Sequence, residues 1–330
     1  MAYVYFVAVC LFFGSNFILM DRATRWFGPI EVGFGRVASA AALLAVLWVT
    51  LDRRQRLRRR DWGVAAAVGL IANAYPYALQ PTLISSGMGH SFFGMTVAFT
   101  PLMTILVSMP MLGVRPTTRQ LVGVVLGFAF VILLMYDGKL RGIGPGLLAL
   151  AASVPLSYSV GNTWIRRSLN HVDPTPLAVM MLLVSSTTLA PIVASPTLQG
   201  GLGVEPPAPR EGFAVAVMAL AWLGALGTAF SMWAFIHMVQ QRGPLFAGMV
   251  TYVVPVVALG WGVFDDETIT PWQILAVVGI LSMVTLVQSP SKTETPSPIA
   301  IQPAAGAEDD PDETAEESWS PDPEALPADA

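Results

Sequence analysis

The sequence predicts an all-α polytopic membrane protein with ten transmembrane helices in two inverted five-helix repeats. Three observations lead there: an apolar composition, ten apolar stretches of spanning length, and a residue pattern in the second five that echoes the first. Hydrophobic residues make up 54% of the 330 and charged residues 12%, against about 25% charged in soluble domains. Crossing a hydrocarbon core about 30 Å thick takes about 17–25 mostly apolar residues. Suitable stretches run at 3–20, 31–51, 62–85, 91–112, 119–136, 145–165, 175–194, 213–238, 246–264 and 271–288. They lack the alternating polar and apolar order of barrel strands, and a helix satisfies its own backbone hydrogen bonds in lipid.

Taken in order, the first stretch has no basic segment before it and nine more follow, so it reads as a retained helix rather than a cleaved signal. Its Cys10 is the one cysteine of the chain and reads as a small apolar residue. The second carries Arg36, the one basic residue well inside a span. Burying it is costly, so it needs a partner or a wet cavity. Glu31 lies about 7.5 Å along the axis and about 140° round it, reachable only if the arginine bends back. An anion contact in a solute path and a structural bond to a neighbouring helix both fit Arg36.

In the third helix Asn73, Tyr77 and Gln80 share one face, and in the eighth Trp233, His237 and Gln240 repeat that spacing. Two matched polar faces suggest a shared lining, with interhelical hydrogen bonding as the alternative. Thr96, Thr100, Thr104 and Ser108 form a hydroxyl stripe on the fourth helix, suited to close packing or to a pore wall. Gly123 and Gly127 in the fifth dock that helix within the bundle or form a homodimer. Ser153, Ser157 and Trp164 mark a face of the sixth helix, and Tyr252, between Gly248 and Pro255, a face of the ninth. Tyr77, Tyr158, Trp233 and Tyr252 are aromatics suited to stacking on or gating an organic solute.

Residues 290–330 hold one Lys and eleven acidic residues, leaving the rest of the chain at net +6. Rich in Pro, Ser and Ala, this segment is predicted to be a disordered acidic cytoplasmic tail. Lys and Arg collect in cytoplasmic loops, so the run Arg53, Arg54, Arg56, Arg58, Arg59 and Arg60 places that loop and both termini inside. Twelve basic residues then lie inside and five outside, with Asp265, Asp266 and Glu267 outside.

Thr100-Pro101 in helix four and Val254-Pro255 in helix nine are followed by Thr117-Thr118-Arg119-Gln120 and Thr270-Pro271-Trp272-Gln273. The offsets are 154 for the prolines and 153 for the glutamines, which points to duplication. The repeats fall at 1–138 and 139–289. An odd number of spans turns the second copy upside down.

These residues also carry a family resemblance. Phe12-Phe13-Gly14-Ser15-Asn16-Phe17 resembles the Trp-Gly-Ser-Asn-Phe start of EamA-like proteins of the drug/metabolite transporter superfamily. Arg36 resembles the arginine of their second helix, Tyr77-Ala78-Leu79-Gln80 their third, and Gly243-Pro244-Leu245-Phe246-Ala247 through Tyr252 and Pro255 their ninth. Their Leu-Gly-Glu after helix nine is represented by Glu267, whereas the first repeat has Leu112-Gly113-Val114. The resemblance implies a secondary transporter of the plasma (inner) membrane, exporting small metabolites, amino acids or drugs by alternating access and using no cofactor. Nucleotide-sugar and phosphate-ester antiporters belong to the same superfamily, and a membrane scaffold with an interaction tail is the reading outside transport.

The expected solute path comprises Asn16, Arg36, Asn73, Tyr77, Gln80, Thr100, Ser157, Trp164, Trp233, His237 and Tyr252. Proton coupling through His237 stays open, against a hydrogen-bonded or snorkelling histidine. No acidic residue lies deep in a span, which argues against a carboxylate-centred proton relay. The sequence has no phosphate-cradling glycine loop with Lys-Ser/Thr, no His-Glu-x-x-His and no Gly-x-Ser-x-Gly, so neither ATP-driven pumping nor hydrolysis has local support. Three scattered histidines with one cysteine make no metal site, and the arginine run is too short to suggest nucleic-acid binding.

Overall fold

The computed structural model describes residues 2–51, 57–113, 117–140, 142–201, 212–242, 247 and 250–288. The acidic tail, expected to be disordered, lies outside the described residues. Every regular element described is helical. The main helices are α1 (Ala2–Thr24), α2 (Pro29–Leu51), α3 (Arg59–Met88), α4 (His90–Leu112), α5 (Thr118–Leu140), α6 (Pro145–Ser168), α7 (Pro174–Ala194), α8 (Phe213–Arg242), α9 (Val250–Phe264) and α10 (Pro271–Gln288).

By length and composition, six of these are apolar enough to cross a membrane: α1, α2, α3, α4, α7 and α8. With 24 residues, α6 has the length, but Ser153, Ser157, Ser159, Asn162 and Thr163 make it more polar than its neighbours. That polarity suits a helix enclosed by protein, where Ser157, Ser159, Asn162 and Thr163 are all buried. Around the bundle, large apolar side chains such as Val7, Leu11, Val46, Met218, Trp222 and Val256 are exposed. Water would penalise so much apolar surface, and lipid does not.

Local chemistry sets the helix ends. Pro145 and Pro174 open α6 and α7 at a position where the missing N–H costs nothing. Gly87 and Gly89, at φ 87° and 79°, make the tight reversal from α3 to α4 that a side chain would strain.

Packing follows a pattern of exchange. Helix α1 packs on α9 and α8, while α6 packs on α4 and α3. Helix α2 packs on α8, and α7 on α3, while α2–α7, α5–α10 and α4–α9 pack as pairs. Swapping each of the first five helices for its counterpart in the second five turns every one of these pairings into another, or into itself.

Both α3 and α8 are interrupted by π-helical turns, at Leu70–Ala74 and Ala225–Phe230, which begin 155 positions apart. Such a turn releases backbone carbonyls from the i to i−4 ladder, and in lipid these need other donors. The Ser185 hydroxyl of α7 donates to Gly69 O at 3.1 Å, and the Asn16 amide of α1 donates to Gly227 O at 3.1 Å.

Candidate functional site

Asn16 is the first polar residue of α1 to be buried, and its bond to Gly227 ties it to the π-turn of α8. Around it the helices leave a cavity whose space open to water centres is about 90 Å³. One water needs about 10–15 Å³ by that measure, so the cavity admits several waters or a small organic group. Six expected residues, Asn16, Arg36, Asn73, Tyr77, Gln80 and Thr100, line it together.

Arg36 is 1% exposed. Its Nε donates to Thr228 Oγ1 at 3.0 Å, its Nη1 reaches Met20 Sδ at 3.4 Å, and its Cζ lies 4.3 Å from the Tyr77 ring centroid. This is a cation over an aromatic face. Glu31 instead accepts from its own helix start, Gly28 N, at 2.8 Å, and no carboxylate among the described residues pairs with Arg36. Asn73 donates to Met232 Sδ at 3.2 Å, and the Gln80 amide donates to the Tyr158 hydroxyl. The Asn16 Oδ1 is buried without a hydrogen-bond partner.

The lining pairs across the two halves. Val97 and Thr100 of α4 and Thr251 and Val254 of α9 all face the cavity, at an offset of 154. Tyr77 and Gln80 of α3 and Met232 and Phe235 of α8 also line it, offset by 155, the same offset as the π-turns. Arg36 of α2 and Met181 of α7 are separated by 145, as are Pro29 and Pro174 at the starts of their helices.

Four expected residues are not among the lining side chains described. Ser157 is buried and bonds Val154 O at 2.8 Å, while its neighbour Tyr158, with Asn162 and Ile165, faces the cavity. Trp164 packs half-buried against the apolar core. Trp233 donates to Thr175 Oγ1 at 3.1 Å and stacks on His237, with ring centroids 5.7 Å apart and planes 9° apart. Tyr5 of α1 meets both rings edge-on. Gln240, the third residue of that face, donates to the carbonyls of Leu169 and Val172. The side chain of Tyr252 lies outside the described residues.

Sequence reading missed Phe13, Phe17, Asn162, Met232 and Phe235 as lining residues. Asn162 alone carried a signal, a buried-type amide one turn from Tyr158. On the hydroxyl stripe, Thr104 donates to Ser159 Oγ at 3.2 Å, and Ser159 donates to Thr100 O at 2.8 Å. These bonds join α4 to α6. Gly127 of α5 lies against Leu102 of α4, so this glycine docks its helix within the bundle.

At the far end of α1 from Tyr5, a polar latch ties three segments. Glu267 accepts from His90 N at 2.9 Å and from Ser91 N at 3.2 Å, capping the start of α4 with a carboxylate, and also accepts from the Ser91 hydroxyl. Asp265 accepts from Arg22 of α1 and lies 3.2 Å from His90 Nε2. Burial raises the Asp265 carboxyl, but bonds and charges from Arg22 and His90 outweigh it and hold the group below its ordinary 3.8.

Comparison with known proteins identifies the class of molecule. The model of the EamA-like transporter family matches residues 1–136 and again 145–288. An uncharacterized transporter, YvbV of Bacillus subtilis, is 23% identical over 89% of this chain and 94% of its own length. The uncharacterized inner membrane transporter YedA of Escherichia coli K12 is 23% identical over 85% of this chain and 88% of its own. One crystal structure, 17% identical, shares the fold with a TM-score of 0.60 over 87% of this chain and 96% of that one. With the family's pattern matched twice along its length, and a cavity holding buried polar side chains enclosed by apolar helices, the chain belongs to the EamA-like transporter family.

Proposed function

We propose that this membrane transporter is a secondary exporter that moves small organic solutes through the Asn16–Arg36 cavity by alternating access of two inverted halves. The observation that carries this reading is the paired lining. Side chains at matched positions of α2 and α7, α3 and α8, and α4 and α9 face one space. Repeats of opposite orientation can rock about such a midplane site and expose it to either side in turn. The latch from Arg22 and His90 to Asp265 and Glu267 and the aromatic cluster of Tyr5, Trp233 and His237 sit at opposite ends of α1, where two alternating gates would stand.

A nucleotide-sugar or phosphate-ester cargo is disfavoured by the lining, in which Arg36 is the only basic side chain among the described residues. A group carrying two or more negative charges calls for more than one cation. Purified protein in proteoliposomes loaded with a mixed panel of organic acids, amino acids, sugars and organic cations tests the reading. Protein-dependent exchange of at least one class is expected, reduced by Asn16→Leu. Exchange of none, under conditions where the protein remains folded, overturns it.

A further inference from the structure

The internal duplication supplies a control for Arg36, the one buried charge among the described residues of the cavity lining. Arg36 and Met181 stand at matched positions of α2 and α7, both line the cavity, and both sit where their helix meets a glycine of the opposite half. A Cβ on Gly224 would meet Ser39 and lie 3.7 Å from Arg36 O, and a Cβ on Gly69 would lie 2.9 Å from Met181 O. Both crossings are therefore glycine-mediated helix packing, closer to the backbone at Met181 than at Arg36. A neutral methionine satisfies it at one of them, so the crossing itself does not require a cation.

Arg36 keeps its charge at a desolvation cost and recovers, among the described residues, a hydroxyl, a thioether and an aromatic face. We infer that the solute supplies the missing negative charge, and that the transported class is an apolar organic monoanion, such as an aromatic or medium-chain carboxylate. This rests on the transport reading above and narrows it.

The rest of the lining agrees. Phe13, Phe17, Phe235 and Met232 offer apolar walls for a hydrocarbon body. No Asp or Glu lines the cavity among the described residues. A zwitterion's ammonium or a cationic drug would thus meet Arg36 as a like charge with no carboxylate to offset it. A single negative charge also sets direction, because an inside-negative potential of about 100 mV favours the outer side by about 50-fold.

The test uses the full chain in proteoliposomes, with benzoate, phenylacetate and hexanoate as monoanions, phenylalanine as zwitterion and tetraphenylphosphonium as cation. Exchange and thermal stabilisation are expected with at least one monoanion and to exceed those with the other two classes. Arg36→Met, which places in the first half the residue found in the second, is expected to fold and to bind that monoanion about 10–100-fold more weakly, the loss of one charge-assisted contact. Arg36→Lys keeps the charge and retains part of the binding, so a misfolded Arg36→Met does not remove the test. Preference for phenylalanine or the cation, no effect of any monoanion, or undiminished monoanion binding in a folded Arg36→Met overturns the inference. Exchange of phenylalanine alone leaves the transport reading standing while sinking this one, and exchange of nothing sinks both.

Discussion

Glu267 shows how much one carboxylate can organise. Its two oxygens satisfy the free N–H groups of His90 and Ser91 at the start of α4, which no preceding turn can do. Glu267→Ala leaves both donors short of an acceptor and should lower stability by about 1–2 kcal/mol, read as a lower midpoint in thermal unfolding. An unchanged midpoint would mean that water replaces the carboxylate at no cost. Beside it, Asp265 has a folded-state pKa below 3.8, so its contribution is fully present above the unfolded value near 3.8 and is lost only as pH falls through the lower folded value. Stability should therefore show no Asp265-dependent change between pH 5 and 7. Asp265→Asn should remove a stabilisation that the native protein loses only in stronger acid, as pH-dependent melting of the two proteins would show.

At the scale of helices, the face that lines the cavity was legible on α3 and hidden on α8, for a physical reason. Asn73, Tyr77 and Gln80 stand out because their polarity contrasts with an apolar span. Met232 and Phe235, the counterparts of Tyr77 and Gln80, are as apolar as lipid-facing residues, so no contrast marks them. The eye goes instead to Trp233 and His237, one and two positions later, which turn toward Tyr5 and Thr175. Sequence spacing also gave no sign of the π-turns, which change the angular register within both helices. Gly69 opens one of these turns against the Met181 backbone, with room for a Cβ only at 2.9 Å from a carbonyl oxygen. Gly69→Ala should force α3 and α7 apart, cost about 1–3 kcal/mol as overpacking does and reduce transport. A melting temperature equal to wild type would show that this crossing is looser than it looks.

Over the whole molecule, composition and charge pattern made the fold class readable because lipid imposes a simple rule, apolar outside and hydrogen bonds satisfied within. The cavity was partly readable, since nine of its nineteen described lining residues carry polar groups; Phe13, Phe17, Val97 and Val254 face it yet read like any buried apolar residue. Near-constant offsets of 154 and 155 along α3, α4, α8 and α9 join the sequence repeat to the lining and underlie the proposal of two inverted halves. That proposal puts Arg59, at the start of α3, and Asp266, after α9, on opposite faces of the membrane, and both are exposed. Single cysteines at these two positions, in a Cys10→Ala background in intact cells, test it most directly with a membrane-impermeant maleimide. The account predicts that the cysteine at 266 reacts at once and the one at 59 only after permeabilisation; equal reaction of both from outside would contradict it.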